Sequence, residues 1–352
     1  MFFQQSKTFL GLDIGSSYIK IVELKESGSR YTLQNFGIAI LPTDTIVDGT
    51  IMDSMAIVNT IKNLIENLKS RKKQICTSIS GHSVIIKKIL LPVMDEATVE
   101  NTIYEEAAHH IPYDIYDVNL DFQILGPSSE ADDKMDVLLV AVKKDIISDY
   151  LGVIEEAGLV PVIVDVDNFA LENMYEYNYE DAGEEVVALV DIGSNITNIN
   201  IIKQGVSNFT RDITVGSRMI TEQLQKQLNL NYQTAEQLKI GVPVEGINRS
   251  DLEKIIADAA FSFINEINKT IDFYHTSASG SRIEKIYLGG GGAKLAGIVS
   301  MVHEITTIET EIINSFRNLI VPEKKFDSNY IQDMAPLAAV AVGLALRKDT
   351  IK

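Results

Sequence analysis

The chain has 352 residues, with 31 Lys+Arg against 49 Asp+Glu and a formal net charge of -18. At about 100 to 200 residues per domain this suits two lobes or one large composite fold, and the acidic excess excludes nucleic acid and anionic lipid as primary partners, because both would be repelled. With 45% hydrophobic and 23% charged residues the whole chain is expected to fold, and its single cysteine, Cys76, excludes a disulfide framework or a multi-cysteine zinc site.

In chain order, alternating apolar patterns predict strands over 9–14, 18–24 and 31–40, then an amphipathic helix over 55–69 and a further strand over 74–80. Cys76 falls in that last strand and reads as a buried, inert thiol. A block with its own pattern comes next: a strand over 84–91, a helix over 98–110, strands over 119–125 and 135–142 joined by a polar hairpin loop at 127–133, and a helix over 146–156. His109 and His110 with Glu105 and Glu106 read as a solvated helix face rather than a metal site, since no further ligand cluster accompanies them. A strand over 160–166 comes after the block, and residues 175–181, Tyr-Glu-Tyr-Asn-Tyr-Glu-Asp, read as a polar aromatic surface connector into the second half. Beyond it come a strand over 206–215, helices over 217–228, 232–240 and 251–275, and a last helix over 335–347. No apolar stretch approaches the roughly 18 residues of a spanning helix, and residues 1–7 lack the layout of a secretory signal, so a soluble cytoplasmic protein is expected.

One segment occurs twice: Leu12-Asp13-Ile14-Gly15-Ser16-Ser17-Tyr18-Ile19-Lys20 returns as Val190-Asp191-Ile192-Gly193-Ser194-Asn195-Ile196-Thr197-Asn198. Each copy is an apolar run, a Gly-Ser turn and a second alternating strand, the signature of a tight hairpin, and the two copies imply two homologous halves. Such a hairpin is an ordinary turn in many proteins, yet glycine lets backbone approach a ligand closely, and Ser16, Ser17, Ser194 and Thr197 add hydroxyl donors, so it also suits a phosphate. Asp13 and Asp191 would bring two carboxylates to the same phosphates, which calls for an intervening hydrated Mg2+. Lys20, on the first returning strand, could reach a terminal phosphate as a point charge; the second copy has Asn198 there. A third cluster, Gly289, Gly290, Gly291, Gly292 and Ala293, succeeds an apolar strand and is expected to open a helix, a layout in which backbone meets a nucleotide.

With these motifs the chain resembles the superfamily of actin, the heat-shock chaperone ATPases and hexokinase, and within it the PilM family of type IV pilus assembly proteins. The closer match is carried by 11–24, by His110-Ile111-Pro112-Tyr113-Asp114, by Thr234-Ala235-Glu236-Gln237-Leu238-Lys239, and by 335–347. The implied fold is α/β: duplicated, ribonuclease-H-type actin-like lobes around a nucleotide cleft, with an SHS2 subdomain inserted as in the division protein FtsA. The implied division gives 1–80, completed by 159–180 and 335–352, to the first lobe, 81–158 to the insertion, and 181–334 to the second lobe, whose residues 217–280 would cap the nucleotide.

The resemblance further implies ATP and Mg2+ as cofactors. Asp13, Gly15, Ser16, Ser17 and Lys20 would form the first phosphate loop, and Asp191, Gly193, Ser194, Asn195 and Thr197 the second. Gly289 to Ala293 would be the adenosine loop, with Glu236 and Lys239 beside ribose and adenine, where the bland alternative is a solvent-exposed ion pair; Asp13 and Asp191 would hold the metal through water. Asp167 stands where the superfamily places a water-positioning Gln or Glu, one methylene longer, so weak or absent ATP turnover is expected. The implied partner is the cytoplasmic N-terminal peptide of PilN in an inner-membrane pilus complex, with self-association left open. A small-molecule kinase of the same superfamily and an FtsA-like division protein are the alternatives; the latter is disfavoured by the lack of an amphipathic membrane helix at the C-terminal end.

Overall fold

The computed structural model describes residues 8–128, 131–179, 185–277 and 281–348. The first sheet is built from β1 (Leu10–Ile14), β2 (Tyr18–Ser27) and β3 (Arg30–Ile40). A short hairpin, β4 (Ile46–Val47) and β5 (Thr50–Ile51), then leads to α1 (Ser54–Leu68) and β6 (Gln74–Ile79). Asp53 caps α1 by accepting the Ala56 amide at 3.0 Å, and Ile57, Val58, Ile61, Leu64 and Ile65 form its buried stripe at helical spacing. β7 (Val84–Pro92), α2 (Glu96–Ala108), β8 (Val118–Pro127) and β9 (Lys134–Lys143) make a separate three-stranded sheet covered by one helix, with its own core around Ile89, Val99, Ile103 and Leu139. α3 (Lys144–Glu156) and β10 (Val160–Val166) return the chain to the first sheet, whose order is β10-β6-β1-β2-β3.

α4 (Asp167–Asn178) crosses to the second half. There β11 (Val187–Ile192), β12 (Thr197–Lys203) and β13 (Val206–Ile213) precede α5 (Arg218–Leu228), α6 (Tyr232–Lys239) and α7 (Arg249–Ser277). β14 (Lys285–Gly289), α8 (Ile298–Thr306), β15 (Glu309–Ile312), α9 (Ser328–Met334) and α10 (Ala339–Leu346) complete the chain. The second sheet runs β13-β12-β11-β14-β15. Numbered within its own lobe, each sheet has the order 3-2-1-4-5, with an antiparallel meander on one side and parallel strands on the other. The duplication legible in the hairpins is therefore a duplication of whole sheets.

A shared apolar core joins the lobes. α4 and α10 lie in it between Val22, Leu24 and Leu33 of the first sheet and Val187, Leu189 and Ile202 of the second. α10 is held by two contacts that only glycine permits: a methyl on Gly343 would lie 1.7 Å from the Ala170 carbonyl oxygen, and one on Gly11 of β1 would lie 2.1 Å from the Ala341 oxygen. This helix is shorter than the expected 335–347 because 335–338 form tight turns after α9.

The segment 175–181 differs from its expected role as a surface connector. Tyr175 and Tyr179 stand one turn apart, at 2% and 7% exposure, with rings stacked at 5.0 Å and both packed on Tyr287. The Tyr179 hydroxyl accepts the Asn314 amide at 2.8 Å, so the ring is buried while its polar tip is satisfied. Glu180 and Asp181 lie outside the described residues, as do 129–130 of the 127–133 loop. Cys76 is fully buried, and burial pushes its thiol well above the usual range, which leaves it inert. Among the described residues no helix is long and apolar enough to cross a membrane.

Candidate functional site

The two repeated hairpins face one another across a cleft of 480 Å³. Their turns close in the same way: the Gly15 amide donates to the Tyr18 carbonyl at 3.0 Å, and the Gly193 amide to the Ile196 carbonyl at 2.9 Å. Glycine is required at the second turn, where a Cβ would sit 2.6 Å from the Ile196 oxygen. In the adjoining ladders, Asp13 lies opposite Lys20 and Asp191 opposite Asn198. The structure brings Asp13, Gly15, Ser16, Ser17, Lys20, Asp167, Asp191, Gly193, Ser194, Asn195, Glu236, Lys239 and Gly291 to the cleft wall.

The remaining expected residues lie behind that wall. Thr197 is fully buried, and its hydroxyl donates to the Val215 carbonyl at 2.8 Å, which holds the exit from β13. Gly289 ends β14 with Asp191 packed over it; a Cβ would meet the carboxylate oxygen at 3.0 Å. Gly290, at φ 78°, donates its amide to Pro336 at 2.8 Å and leaves no room for a Cβ against Ile192. Gly292 is pressed onto the Ile192 side chain, and Ala293 is buried with its amide donated to Gly290. Only Gly291 of this cluster opens into the cleft. The glycines lead into a 3-10 turn, Gly291–Lys294, and α8 starts later at Ile298 rather than directly at the cluster. The compact turn is what Gly290 and Gly292 allow: backbone laid flat on Ile192.

Three carboxylates converge at the base of the cleft with one ammonium. Lys20 Nζ donates to Asp13 Oδ2 at 2.7 Å. Burial pulls the Lys20 ammonium down, but Asp13, with Asp191 and Asp167 behind it, more than offsets this and holds it above the usual lysine range. Asp167 accepts the Ser78 hydroxyl at 2.5 Å, yet burial first and the Asp13 charge second raise its carboxyl to about 6. Burial raises Asp191 to about 7 against the pull of Lys20, with Asp13 and Asp167 adding to the rise. Among the described residues no three His, Cys, Asp or Glu side chains approach closely enough to hold a metal ion by themselves.

The expected Glu236 and Lys239 pair is present, but it is not a solvated surface pair. Lys239 Nζ is buried and donates to Glu236 at 2.6 Å and to the Thr221 hydroxyl of α5 at 2.9 Å; the Thr221 hydroxyl in turn donates to Glu236. Burial lowers the Lys239 ammonium and Glu236 opposes that. Among the wall residues that sequence reasoning missed are Tyr232, Lys294 and Asn198. Tyr232, one turn before Glu236 on the same face of α6, shares a hydrogen bond with Ser17 of the first hairpin, a signal that i, i+4 spacing could have given. Lys294 comes after the glycines and pairs with Asp333 of α9 at 2.6 Å, a contact between segments with no local signal. Asn198, the odd member of the repeat, lines the cleft.

Two copies of one sheet topology closing on a cleft walled by a repeated Asp-Ile-Gly-Ser hairpin define the actin-like class of two-lobed proteins. MreB5 of Spiroplasma citri, solved with ADP, shares this fold at TM-score 0.54 and 14% identity, over 96% of this chain and 95% of that one. The family model described as type IV pilus assembly protein PilM matches residues 11–349, and the chain belongs to that family. A solved PilM-PilN type IV pilus biogenesis complex superposes at TM-score 0.87 and 28% identity, covering 97% of this chain and 98% of that one. The cell division protein FtsA of Pseudomonas aeruginosa is 24% identical over 86% of this chain and 82% of its own length.

Proposed function

We propose that this protein is a nucleotide-binding scaffold of type IV pilus assembly, which binds Mg2+-ATP between its lobes and a PilN-type peptide elsewhere on its surface. The observation that carries the reading is the paired hairpin: two identical Gly-to-i+3 turns aimed at one cleft, each joined to an aspartate-bearing ladder. Ser16, Ser17, Ser194 and Asn195 offer hydroxyl, amide and backbone donors to phosphates, Lys20 a point charge, and Gly291 an open backbone surface for the nucleoside beside Glu236 and Lys239. The 480 Å³ volume lies within the range of small-molecule sites.

The donor set also fits Mg2+. Asp13, Asp167 and Asp191 supply hard oxygen ligands, and Asp167 and Asp191 are raised first by burial and then by the Asp13 charge, which a cation would offset. Because no three of them close a ligand set, Asp13 and Asp191 would hold the ion through water. When bound, it would neutralise the phosphates facing these carboxylates. Asp167, anchored by Ser78, would orient a water, and its short side chain argues for slow turnover.

The partner assignment rests on family membership and on the solved PilM-PilN relative. We place the peptide on the inserted block 81–158 and the adjoining first lobe, taken as domains with 1–80 and 181–334, because a three-stranded sheet has edges to which an extended peptide can add. The partner would tether the protein to the inner membrane. Calorimetry tests the nucleotide half: ATP should bind saturably with Mg2+ and much more weakly with chelator, and no saturable binding under any magnesium condition overturns it.

A further inference from the structure

Near the cleft the lobes meet across a polar seam, unlike the apolar core that joins them deeper. Its centre is Asp212, near the end of β13, directly opposite Asn198 in the ladder. Asp212 Oδ1 accepts the Asn198 amide at 2.9 Å and the Asn168 amide of α4 at 3.2 Å, while Oδ2 accepts the Gly81 backbone amide at 2.7 Å. Asn198 is a cleft wall residue, and Gly81 is the root of the inserted sheet, whose carbonyl accepts the amide of Val84, the first residue of β7.

We propose that Asp212 is a positioning residue that relays the state of the cleft to the inserted sheet; the inference rests on the nucleotide reading above and adds its route of regulation. The repeat marks the device. In the first copy the residue opposite the aspartate, Lys20, turns back onto Asp13; in the second, Asn198 turns away from Asp191 and donates to Asp212. One carboxylate thus contacts the phosphate hairpin with one oxygen and the root of the insertion with the other.

The root is held from both lobes. Ser80 hydrogen-bonds Asp167 on the first-lobe side, and Gly81, at φ 89°, lies against Ile196 of the second hairpin, whose Cδ1 would be 2.9 Å from a Cβ there. A shift of the turn from Gly193 to Ile196 around a ligand would reach the root through the Ile196 side chain and through the Asn198–Asp212 hydrogen bond. The seam continues as polar contacts behind Asn168: Asn200 donates to the Asn168 carbonyl at 2.8 Å and accepts from Ser207 at 2.7 Å. The Asn168 Oδ1 is buried without a hydrogen-bond partner, so the network is only partly satisfied in this arrangement.

The test is hydrogen exchange on the full chain, with and without saturating Mg2+-ATP, in wild type and Asp212→Asn, with ATP affinity measured in parallel. Mg2+-ATP should change exchange of the amides in β7 and β9 by about fivefold or more in wild type, and by less than about twofold in Asp212→Asn, at an ATP affinity within about twofold of wild type. Asp212→Glu should restore part of the response. If Asp212→Asn does not melt cooperatively, Asn198→Ser, which removes only the cleft-side contact, should diminish the response instead. Equal responses in wild type and variants, or ATP binding without any response in the insertion, overturn the relay and leave the nucleotide reading intact. No ATP binding to wild type overturns both.

Discussion

Asp191→Asn should make the protein more stable in the absence of ligand, at the expense of its proposed function. Burial raises this carboxyl from 3.8 to about 7. Between those values the native state retains a proton that the unfolded chain has released, so wild-type stability falls as pH rises across that window and levels off above it. About three units at 1.36 kcal/mol each set an upper figure of ~4 kcal/mol for the strain carried at pH 8. The amide keeps the shape but must itself find partners, so the recoverable part is about 1 to 3 kcal/mol. Urea unfolding of both proteins without nucleotide or Mg2+ should show that gain at pH 8 and little difference at pH 4, where wild-type Asp191 is already neutral. In the same variant Mg2+-ATP affinity should fall by about tenfold or more, as expected for loss of a charged oxygen near the ion. A variant less stable than wild type at pH 8, or a gain equal at both pH values, would refute the reasoning.

Gly343→Ala should destabilise the shared core by about 3 kcal/mol, since a methyl has no space against the Ala170 backbone; an unchanged urea midpoint would show that α10 can shift. Asp167→Glu should preserve or raise ATP turnover in a steady-state phosphate-release assay, and a wild-type rate in the tens per second would show that the shorter side chain is no handicap. Lys239→Met should cost about 2 kcal/mol and weaken ATP binding, because it leaves the Glu236 carboxylate beside a buried apolar stem; calorimetry with unchanged affinity would remove Lys239 from the site.

The hairpin pair and the strands of both sheets other than β15 were legible because their signals are local: short apolar or alternating runs, and glycine where backbone closes on itself. Identity as hairpin partners fixed Asp13 and Asp191 in equivalent places, and the strand at 160–166 coincides with β10. What was not legible depends on distant segments. α9 and β15 are short and were not anticipated, the helix expected directly at the glycine cluster starts only at Ile298, and two of the four glycines, Gly290 and Gly292, serve packing on Ile192 rather than an open loop. Thr197 looked like a ligand hydroxyl until Val215 claimed it, and the tyrosines at 175 and 179 looked polar until Tyr287 covered them. Asp212 has no motif at all; its importance comes from Gly81, Asn168 and Asn198 meeting there from three parts of the chain.

The placement of α10 has a consequence for biosynthesis. β1, the first element of the fold in chain order, has Gly11 pressed against α10, the last, and Thr8 bridges to Lys348. The face of the first sheet that α10 covers therefore stays open until residues 339–346 have been made, whereas its opposite face can close earlier on α1 and α3. During that interval the apolar faces of β1, β2 and α4 lack their final cover, a state that favours chaperone capture or aggregation. The helical face of the second lobe and the inserted sheet, whose cores are drawn from residues 186–308 and 85–141, are free to form earlier. Stalled nascent chains ending before Ala339 should thus remain protease-sensitive in the first lobe, and resistance there would mean that the sheet closes without α10.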